Sequence, residues 1–201
     1  LSAMLLVAAV AVYNSVTVEK LDVKRDREKV RSLSPKDLAT NFWNSKLDDV
    51  LQSAIALETF DSLLAVAPRA LMQQHGKAVG ITSLHCFLVK GSALFGQPGT
   101  ETLPVVFKGK GRTYHLLMKR IVGNAARDAL GAFNIDDFQN TMDFNAVATA
   151  LNALIQERVI TDGRLSMSAG QMIRFVGAVE VQAEGGPKEI AIIPLKLEVF
   201  R

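Results

Sequence analysis

The sequence is poor in the residues that build disulfides and metal sites. Cys86 is the single cysteine among 201 residues, so the chain has no second cysteine for an internal disulfide or a cysteine-based zinc site. Its three histidines, His75, His85 and His115, lack the close spacing of a metal-binding motif. His85 and His115 could approach one another across paired strands, but we expect structural roles for both. We therefore predict no cofactor and no metal.

Signatures of common catalytic sites are also missing. No Gly-x-Ser-x-Gly string marks a nucleophile elbow, and FKGKGRT does not match the phosphate-binding P-loop. Two pairs of adjacent carboxylates are present, Asp48-Asp49 and Asp136-Asp137. A solvent-facing helix surface explains the first pair, and capping of a helical turn explains the second. We therefore predict that the protein is not an enzyme.

Neither glycine, proline nor charge of one sign is in excess. The formal net charge is +3, with 14 Gly and 6 Pro, which excludes collagen-like and disordered composition and demands no polyanionic partner. Because 49% of the residues are apolar, the chain can bury a substantial core. One domain with an appendage is the simplest organisation.

Charge is absent from residues 1–18, and LSAMLLVAAVAVY is almost wholly apolar. Such a segment fits the centre of a signal peptide or, with residues upstream, a helix that spans a bilayer. A buried N-terminal helix is the third interpretation, but it would show a polar face at helical spacing. We expect export, with an uncleaved membrane anchor favoured over a cleaved signal.

The next two regions are a charged connector and a helical pair. Residues 19–33 carry both signs of charge and could include a short strand. In residues 34–76, Ser34-Pro35 indicates a helix start, Pro68 should kink or divide the second helix, and Gly76 should end it. Trp43, the only tryptophan, is interpreted as core of this pair and not as a ligand platform.

The remaining region, residues 77–201, shows the residue pattern of β-strands. Three runs rich in valine, leucine and phenylalanine, LHCFLVKGSALFG, ETLPVVFKG and RTYHLLMKRIVG, precede an amphipathic helix in FNAVATALNALIQERV. QMIRFVGAVEVQ and KEIAIIPLKLEV follow it, and Pro194 in the last indicates an edge or a bulge. The order β-β-β-α-β-β predicts an α+β protein with an OB-like five-stranded β-barrel, closed or nearly closed. An α+β sandwich of the same elements is the alternative.

One candidate ligand site follows the third strand. Gly123 and Asn124 open a helical turn, where free backbone N–H groups could receive an anion, and Arg127 and Asp128 lie in that turn. The favoured alternative is a buried Arg–Asp pair that holds the turn against the barrel.

A second candidate site is a basic face around the second and third strands, which could bind single-stranded nucleic acid. Its cations are Lys108, Lys110, Arg112, Lys119 and Arg120. Base stacking needs aromatic rings, and only Phe107 and Tyr114 are near. Nucleic-acid binding is therefore the alternative function and not the preferred one.

Several segments resemble a bacterial family of predicted periplasmic lipoproteins, the domain of unknown function 2291. They are GNAARDALGAFNIDDFQNTMDFNAVATALNALIQERV, IRFVGAVEV and IIPLKLEV, and VTVEKLD and NFWNSK match the family's N-terminal strand and tryptophan-containing helix. The resemblance implies export to the periplasm, an OB-like barrel and no established activity. Genes of the family often lie beside ribose-type carbohydrate ABC importers, which implies an accessory role in sugar uptake with transporter components as partners. No cysteine follows the apolar run to carry a lipid, so we expect anchoring to the inner membrane by an uncleaved helix, or secretion if the segment is cleaved.

Overall fold

The structure, a computed structural model, describes residues 28, 30, 32–80, 83–94, 102–105, 111–163, 168, 170–182 and 187–199. The expected anchor in residues 1–18 and most of the connector in residues 19–33 lie outside the described residues. Among the helices that are described, none is both long enough and apolar enough to cross a bilayer.

Four short helices occupy residues 34–76: α1 Pro35–Ser45, α2 Leu47–Leu51, α3 Leu57–Val66 and α4 Pro68–His75. The predicted start is confirmed, because the Ser34 side chain accepts a 3.1 Å hydrogen bond from the backbone N–H of Asp37. Pro68 divides the second predicted helix, as expected of a residue that cannot continue the hydrogen-bond ladder. The first predicted helix also divides, at Lys46, and the expected pair is therefore two broken helices.

The strand region contains the five expected strands: β2 Leu84–Leu94, β3 Thr102–Val105, β4 Thr113–Leu117, β5 Met172–Gln182 and β6 Glu189–Val199. A two-residue strand that the sequence did not predict, β1 Ile55–Ala56, precedes α3. Between β4 and β5 lie α5 Ala125–Leu130, a 3₁₀ turn Ile135–Asp137, α6 Thr141–Ile155 and a π-helix Gln156–Thr161. The predicted order of three strands, a helical stretch and two strands is confirmed.

The strands form one mixed sheet in the order β1-β2-β5-β6-β4-β3. The β1–β2 and β4–β6 pairs are parallel, and the other three pairs are antiparallel. β2 and β3 approach within 8 Å between Cα atoms, but no hydrogen-bonded ladder joins them in the described residues. The α+β class is confirmed, whereas the strands that the structure describes do not close into a barrel. One physical reason is that β1 pairs with β2 at Val89 and Lys90, on the edge that closure would use.

Two expectations about individual strand positions have different outcomes. Val176 of β5 pairs with Lys196, but its neighbour Gly177 pairs with Pro194, so β6 carries a one-residue bulge beside the proline. Pro194 therefore marks a bulge and not an edge, since β6 lies between β5 and β4. The expected approach of His85 and His115 across paired strands is wrong, because β2 and β4 are not neighbours in the sheet.

One hydrophobic core joins the helices to the sheet. Phe60 of α3 meets Phe87 of β2 with ring centroids 5.2 Å apart, and Leu151 of α6 is fully buried in the same cluster. Such buried side chains stabilise the fold by about 1.5–3 kcal/mol each. The described parts of residues 34–76 and 77–201 thus share a core, which fixes the helices relative to the sheet.

Candidate functional site

Arg127, predicted as a ligand contact, is buried, with 3% of its side chain exposed. Its Nη2 lies 2.7 Å from Oδ1 of Asp128, and its Nη1 donates hydrogen bonds to the carbonyl oxygen of Phe144 at 3.0 Å and to Oδ1 of Asn145 at 3.1 Å. The guanidinium carbon also lies 3.6 Å from the centroid of the Phe144 ring, within the range of a cation–π contact. These contacts join α5 to α6, so the guanidinium of Arg127 already has partners within the protein.

Gly123 and Asn124, the two residues before α5, belong to the turn that leads into this helix. Gly123 has a left-handed φ of 86°, and its carbonyl oxygen accepts a 2.9 Å hydrogen bond from the Asn152 side chain. α5 has only six residues, and the Asn124 side chain does not cap it. The structure therefore brings the four predicted residues together at one turn, where a ligand contact stays a prediction.

The predicted basic face includes a cation and a ring that face the core. Nη1 of Arg112 lies 3.4 Å from Oδ1 of Asp61, and 14% of the arginine side chain is exposed. Tyr114 is fully buried, and its hydroxyl donates a 2.7 Å hydrogen bond to the same carboxylate. The tyrosine ring is therefore not available for base stacking.

The other members of that face are described only in part. Lys119 and Arg120 follow β4 and are exposed, whereas residues 106–110, which include Lys108 and Lys110, lie outside the described residues. Nucleic-acid binding through this face stays a prediction, and no described ring supports it.

A recess of about 320 Å³ opens between the first two helices, the π-helix and β6. We call it the Trp43 recess, and its polar or aromatic lining consists of Trp43, Asp48, Arg158, Asp162 and Lys196. Trp43 is half-buried and packs against the core, as expected, but it also lines this recess. An aromatic side chain among a few convergent polar groups is typical of sites for small molecules.

An unusual helical segment shapes one wall of the Trp43 recess. α6 continues at Gln156–Thr161 as a π-helix, in which hydrogen bonds span five residues. Ile155 and Ile160 are five residues apart and both buried, so the wider spacing keeps both in the core. Arg158 lies in this segment and lines the recess. Because π-helical segments are rare and are often found at functional sites, this one favours the recess as a site.

The charges around the Trp43 recess balance. Asp48 and Asp162 are acidic, and Arg158 and Lys196 are basic. Nζ of Lys196 lies 3.0 Å from Oδ1 of Asp48 and 3.4 Å from Oε1 of Glu198, and the hydrogen bond to Asp48 is the main cause that raises the pKa of Lys196. Such exposed ion pairs contribute little stability, so a solute can replace one of their bonds at small cost.

A second groove, of about 450 Å³, lies on the other side of Lys196. We call it the Lys90 groove. Its charged lining consists of Glu58, Lys90, Arg174, Lys196 and Glu198, and its apolar lining includes Phe175 and Val176. Because Lys196 lines both cavities, the two are adjacent.

Asp128 lines a third cavity, of about 660 Å³, between residues 76–80 and 131–135. Nζ of Lys77 there donates a 2.9 Å hydrogen bond to the carbonyl oxygen of Leu130, at the end of α5, and burial lowers the pKa of this lysine. Gly131 has a left-handed φ of 59°, and a Cβ at its position would come within 2.6 Å of Lys77 Cδ. A helix-terminating contact explains Lys77 without any ligand.

Neither the Trp43 recess nor the Lys90 groove was predicted from the sequence. Asp48 and Lys196 are 148 residues apart, so no local pattern reports their contact. The only sequence signal was the single tryptophan, followed closely by an acidic pair in NFWNSKLDD. In the part of the chain that the structure describes, no three histidine, cysteine or carboxylate side chains are placed to hold a metal ion.

Comparison with known proteins identifies the family. The family described as predicted periplasmic lipoprotein (DUF2291) matches residues 6–198, which is nearly the whole chain. The chain therefore belongs to this family, and membership implies a periplasmic location with attachment to a membrane. The curated proteins include no match.

Among solved structures, an OB-fold protein from Thermotoga maritima is similar to this chain, with a TM-score of 0.73. The two are 24% identical, and the alignment covers 84% of this chain and 99% of the other. At this level of identity the likeness shows the fold alone, and it supports the OB-like interpretation of the open sheet.

Proposed function

We propose that this family member is a membrane-anchored periplasmic module that holds a small, neutral, polyhydroxylated solute in the Trp43 recess. In this proposal the module acts by binding and not by catalysis, as an accessory of a carbohydrate ABC uptake system. The observation that carries the proposal is that the only tryptophan, two acidic and two basic side chains line one recess, one wall of which is a π-helix. The periplasmic location supports it, because imported solutes pass through that compartment.

The chemistry of the recess favours a sugar over a charged ligand. The C–H face of a sugar ring is apolar and can pack on the indole of Trp43. Carboxylates accept hydrogen bonds from ring hydroxyls, and the cations of Arg158 and Lys196 donate to their oxygens. Two acids and two bases leave no net charge, so neither an anion nor a cation gains from the whole site.

The hydrogen bonds now made by these groups are ones that a solute can share. Nη1 of Arg158 donates a 2.8 Å bond to Oδ1 of Asn44, on the exposed surface, and a guanidinium has four further N–H groups. Asp48 has a second carboxylate oxygen beside the one that meets Lys196. A bound hydroxyl can therefore join the network without leaving a buried charge unpaired.

The single tryptophan makes the test specific, since all tryptophan fluorescence reports on the recess. Titration of the purified chain with ribose and other monosaccharides should change the emission of Trp43 in a saturable manner. Arg158→Met should weaken binding, whereas Arg120→Met, an exposed arginine outside the recess, should not. If no monosaccharide binds, or if Arg158→Met and Arg120→Met behave alike, the assigned site is wrong.

The transporter link needs a separate measurement. The full-length protein should be cross-linked in cells, purified from detergent-solubilised membranes, and its bound proteins identified. Enrichment of carbohydrate ABC importer subunits over other inner-membrane proteins is the expected result. Recovery without such subunits would contradict the accessory role while leaving solute binding intact.

A further inference from the structure

The Lys90 groove has charges of both signs arranged around an apolar floor. Three strands, β2, β5 and β6, supply most of its lining, and Ala56 of β1 and Glu58 at the start of α3 complete it beside Lys90. The volume of about 450 Å³ is within the range of sites that enclose small organic molecules. This groove is separate from the Trp43 recess, although Lys196 lines both.

Strand register places three cations close together on one face. Val176 lies in the middle, with Lys90 as its Cα partner on β2 and Lys196 as its Cα partner on β6. Arg174 is two residues before Val176 on β5 and so points to the same face. Since neighbouring strands are about 4.8 Å apart, Lys90 and Lys196 originate about 10 Å from one another.

Not all of these cations are equally available. Lys196 is held by Asp48 and Glu198, as described above. Lys90 and Glu58 are both exposed, and within the described residues neither side chain forms a hydrogen bond or an ion pair. An ammonium and a carboxylate thus line one groove without partners in the described part of the protein.

The floor between them is apolar. Gly91 is opposite Phe175 in the β2–β5 register, and a Cβ at Gly91 would come within 3.0 Å of the phenylalanine ring. That ring is buried in the core, on the face opposite Lys90, and the glycine leaves room for it there. On the groove side, Val176 and Ala56 give a ligand a hydrophobic surface between its charged ends.

We propose that the Lys90 groove binds a small zwitterion, namely a free amino acid or a short peptide. Lys90 and Arg174 receive the carboxylate, and Glu58 receives the ammonium. A simple anion is disfavoured because it would face the Glu58 carboxylate, and a simple cation because it would face Lys90. A zwitterion matches both signs and places its apolar part on the floor.

The test is isothermal titration calorimetry of the full-length protein in detergent. The ligands are alanine and Ala-Ala, which are zwitterions, and acetate and ethylammonium, which each carry one of the two charges. Alanine or Ala-Ala should bind, and the two half-molecules should bind at least about tenfold more weakly, since each makes only one of the two charge-assisted contacts. Lys90→Met and Glu58→Gln should each weaken binding of the zwitterion by about tenfold or more. Arg120→Met is the matched control and should bind as the unchanged protein does.

Three outcomes would overturn the proposal. The first is that neither alanine nor Ala-Ala binds while the thermal unfolding of the protein is normal. The second is that acetate binds as tightly as the zwitterion and Glu58→Gln has no effect, which would indicate an anion site only. The third is that Trp43→Ala abolishes zwitterion binding as completely as Lys90→Met, which would place the ligand in the neighbouring recess. A failure of sugar binding alone would leave this proposal standing.

Discussion

The hydroxyl of Tyr114 on β4 donates a 2.7 Å hydrogen bond to Oδ1 of Asp61 on α3, and both residues are buried. Nη1 of Arg112 lies 3.4 Å from the same oxygen. The bond joins the helices to the sheet inside the core. Burial raises the pKa of the Tyr114 hydroxyl well above its usual range, and the hydrogen bond to Asp61 and the charge of that carboxylate add to the effect.

Tyr114→Phe should destabilise the protein by about 1–3 kcal/mol, because it removes a hydrogen bond from a buried carboxylate and leaves part of its desolvation uncompensated. Urea unfolding at neutral pH measures the effect. Asp48→Asn is a suitable comparison, since it removes an acid whose ion pair is exposed, and it should cost no more than about 1 kcal/mol. Equal losses in the two variants would show that the Tyr114–Asp61 bond contributes no more than a surface contact.

Cys86 should make the protein lose stability in alkali. Burial is the main cause that raises the pKa of the Cys86 thiol to about 12, with the charge of Glu180 next. The unfolded thiol ionises near pH 9, so this contribution is complete below pH 9 and is lost as pH rises towards 12. The urea midpoint should therefore fall between pH 8 and pH 11, and it should fall less in Cys86→Ala.

Tyr114 contributes a similar loss from about pH 10 upward, so the informative quantity is the difference between the unchanged protein and Cys86→Ala. The thiol of the native protein should also react slowly with a thiol reagent at pH 8, and rapidly in urea. Fast labelling of the native protein would contradict the burial of Cys86.

The parts of the fold that could be predicted depend on short segments of sequence. Ser34-Pro35 starts a helix because a hydroxyl caps and a proline fits the first turn, and Pro68 divides a helix because proline lacks an N–H. The five strands follow from runs of apolar residues between turn residues, and Pro194 marks the bulge.

The parts that could not be predicted depend on contacts between distant residues. β1 is only two residues long and exists because Ile55 and Ala56 pair with β2, which no propensity indicates. The Trp43 recess likewise needs α2 beside β6, and its π-helix keeps both Ile155 and Ile160 in the core. The open sheet could not be predicted for the same reason. It depends on the pairing of β1 with the edge of β2, which neither segment indicates by itself.

Gly177 should tolerate no side chain. A Cβ there would collide with the Ile192 side chain and come within 2.7 Å of the Ile193 carbonyl oxygen, at the bulge between β5 and β6. Gly177→Ala should therefore destabilise the protein by about 1–3 kcal/mol, although alanine is otherwise the better strand residue. Ser92→Ala, on an exposed position of β2, is the control and should change the urea midpoint little. If Gly177→Ala leaves the urea midpoint unchanged, the bulge must relax around the new methyl group without loss of stability.

The attachment to the membrane should depend on residues 1–18. The family is described as predicted periplasmic lipoproteins, whereas the one cysteine in residues 1–201, Cys86, is buried in β2, far along the sequence from the apolar run. An uncharged, largely apolar segment of 18 residues is near the length of a bilayer-spanning helix and can hold a protein in a membrane without a lipid. The full-length protein should therefore stay in the membrane pellet after a high-salt wash and be released by detergent.

The matched variant replaces residues 1–18 with a signal peptide that is cleaved on export, so that the rest of the chain still reaches the periplasm. This form should appear in the soluble periplasmic fraction. It should unfold at the same temperature as the full-length protein purified in detergent. Protease added to spheroplasts should degrade the full-length form, because the folded part faces outward. If the replaced form still pellets with membranes, another part of the chain or a bound partner holds it there, and the apolar segment is not the anchor.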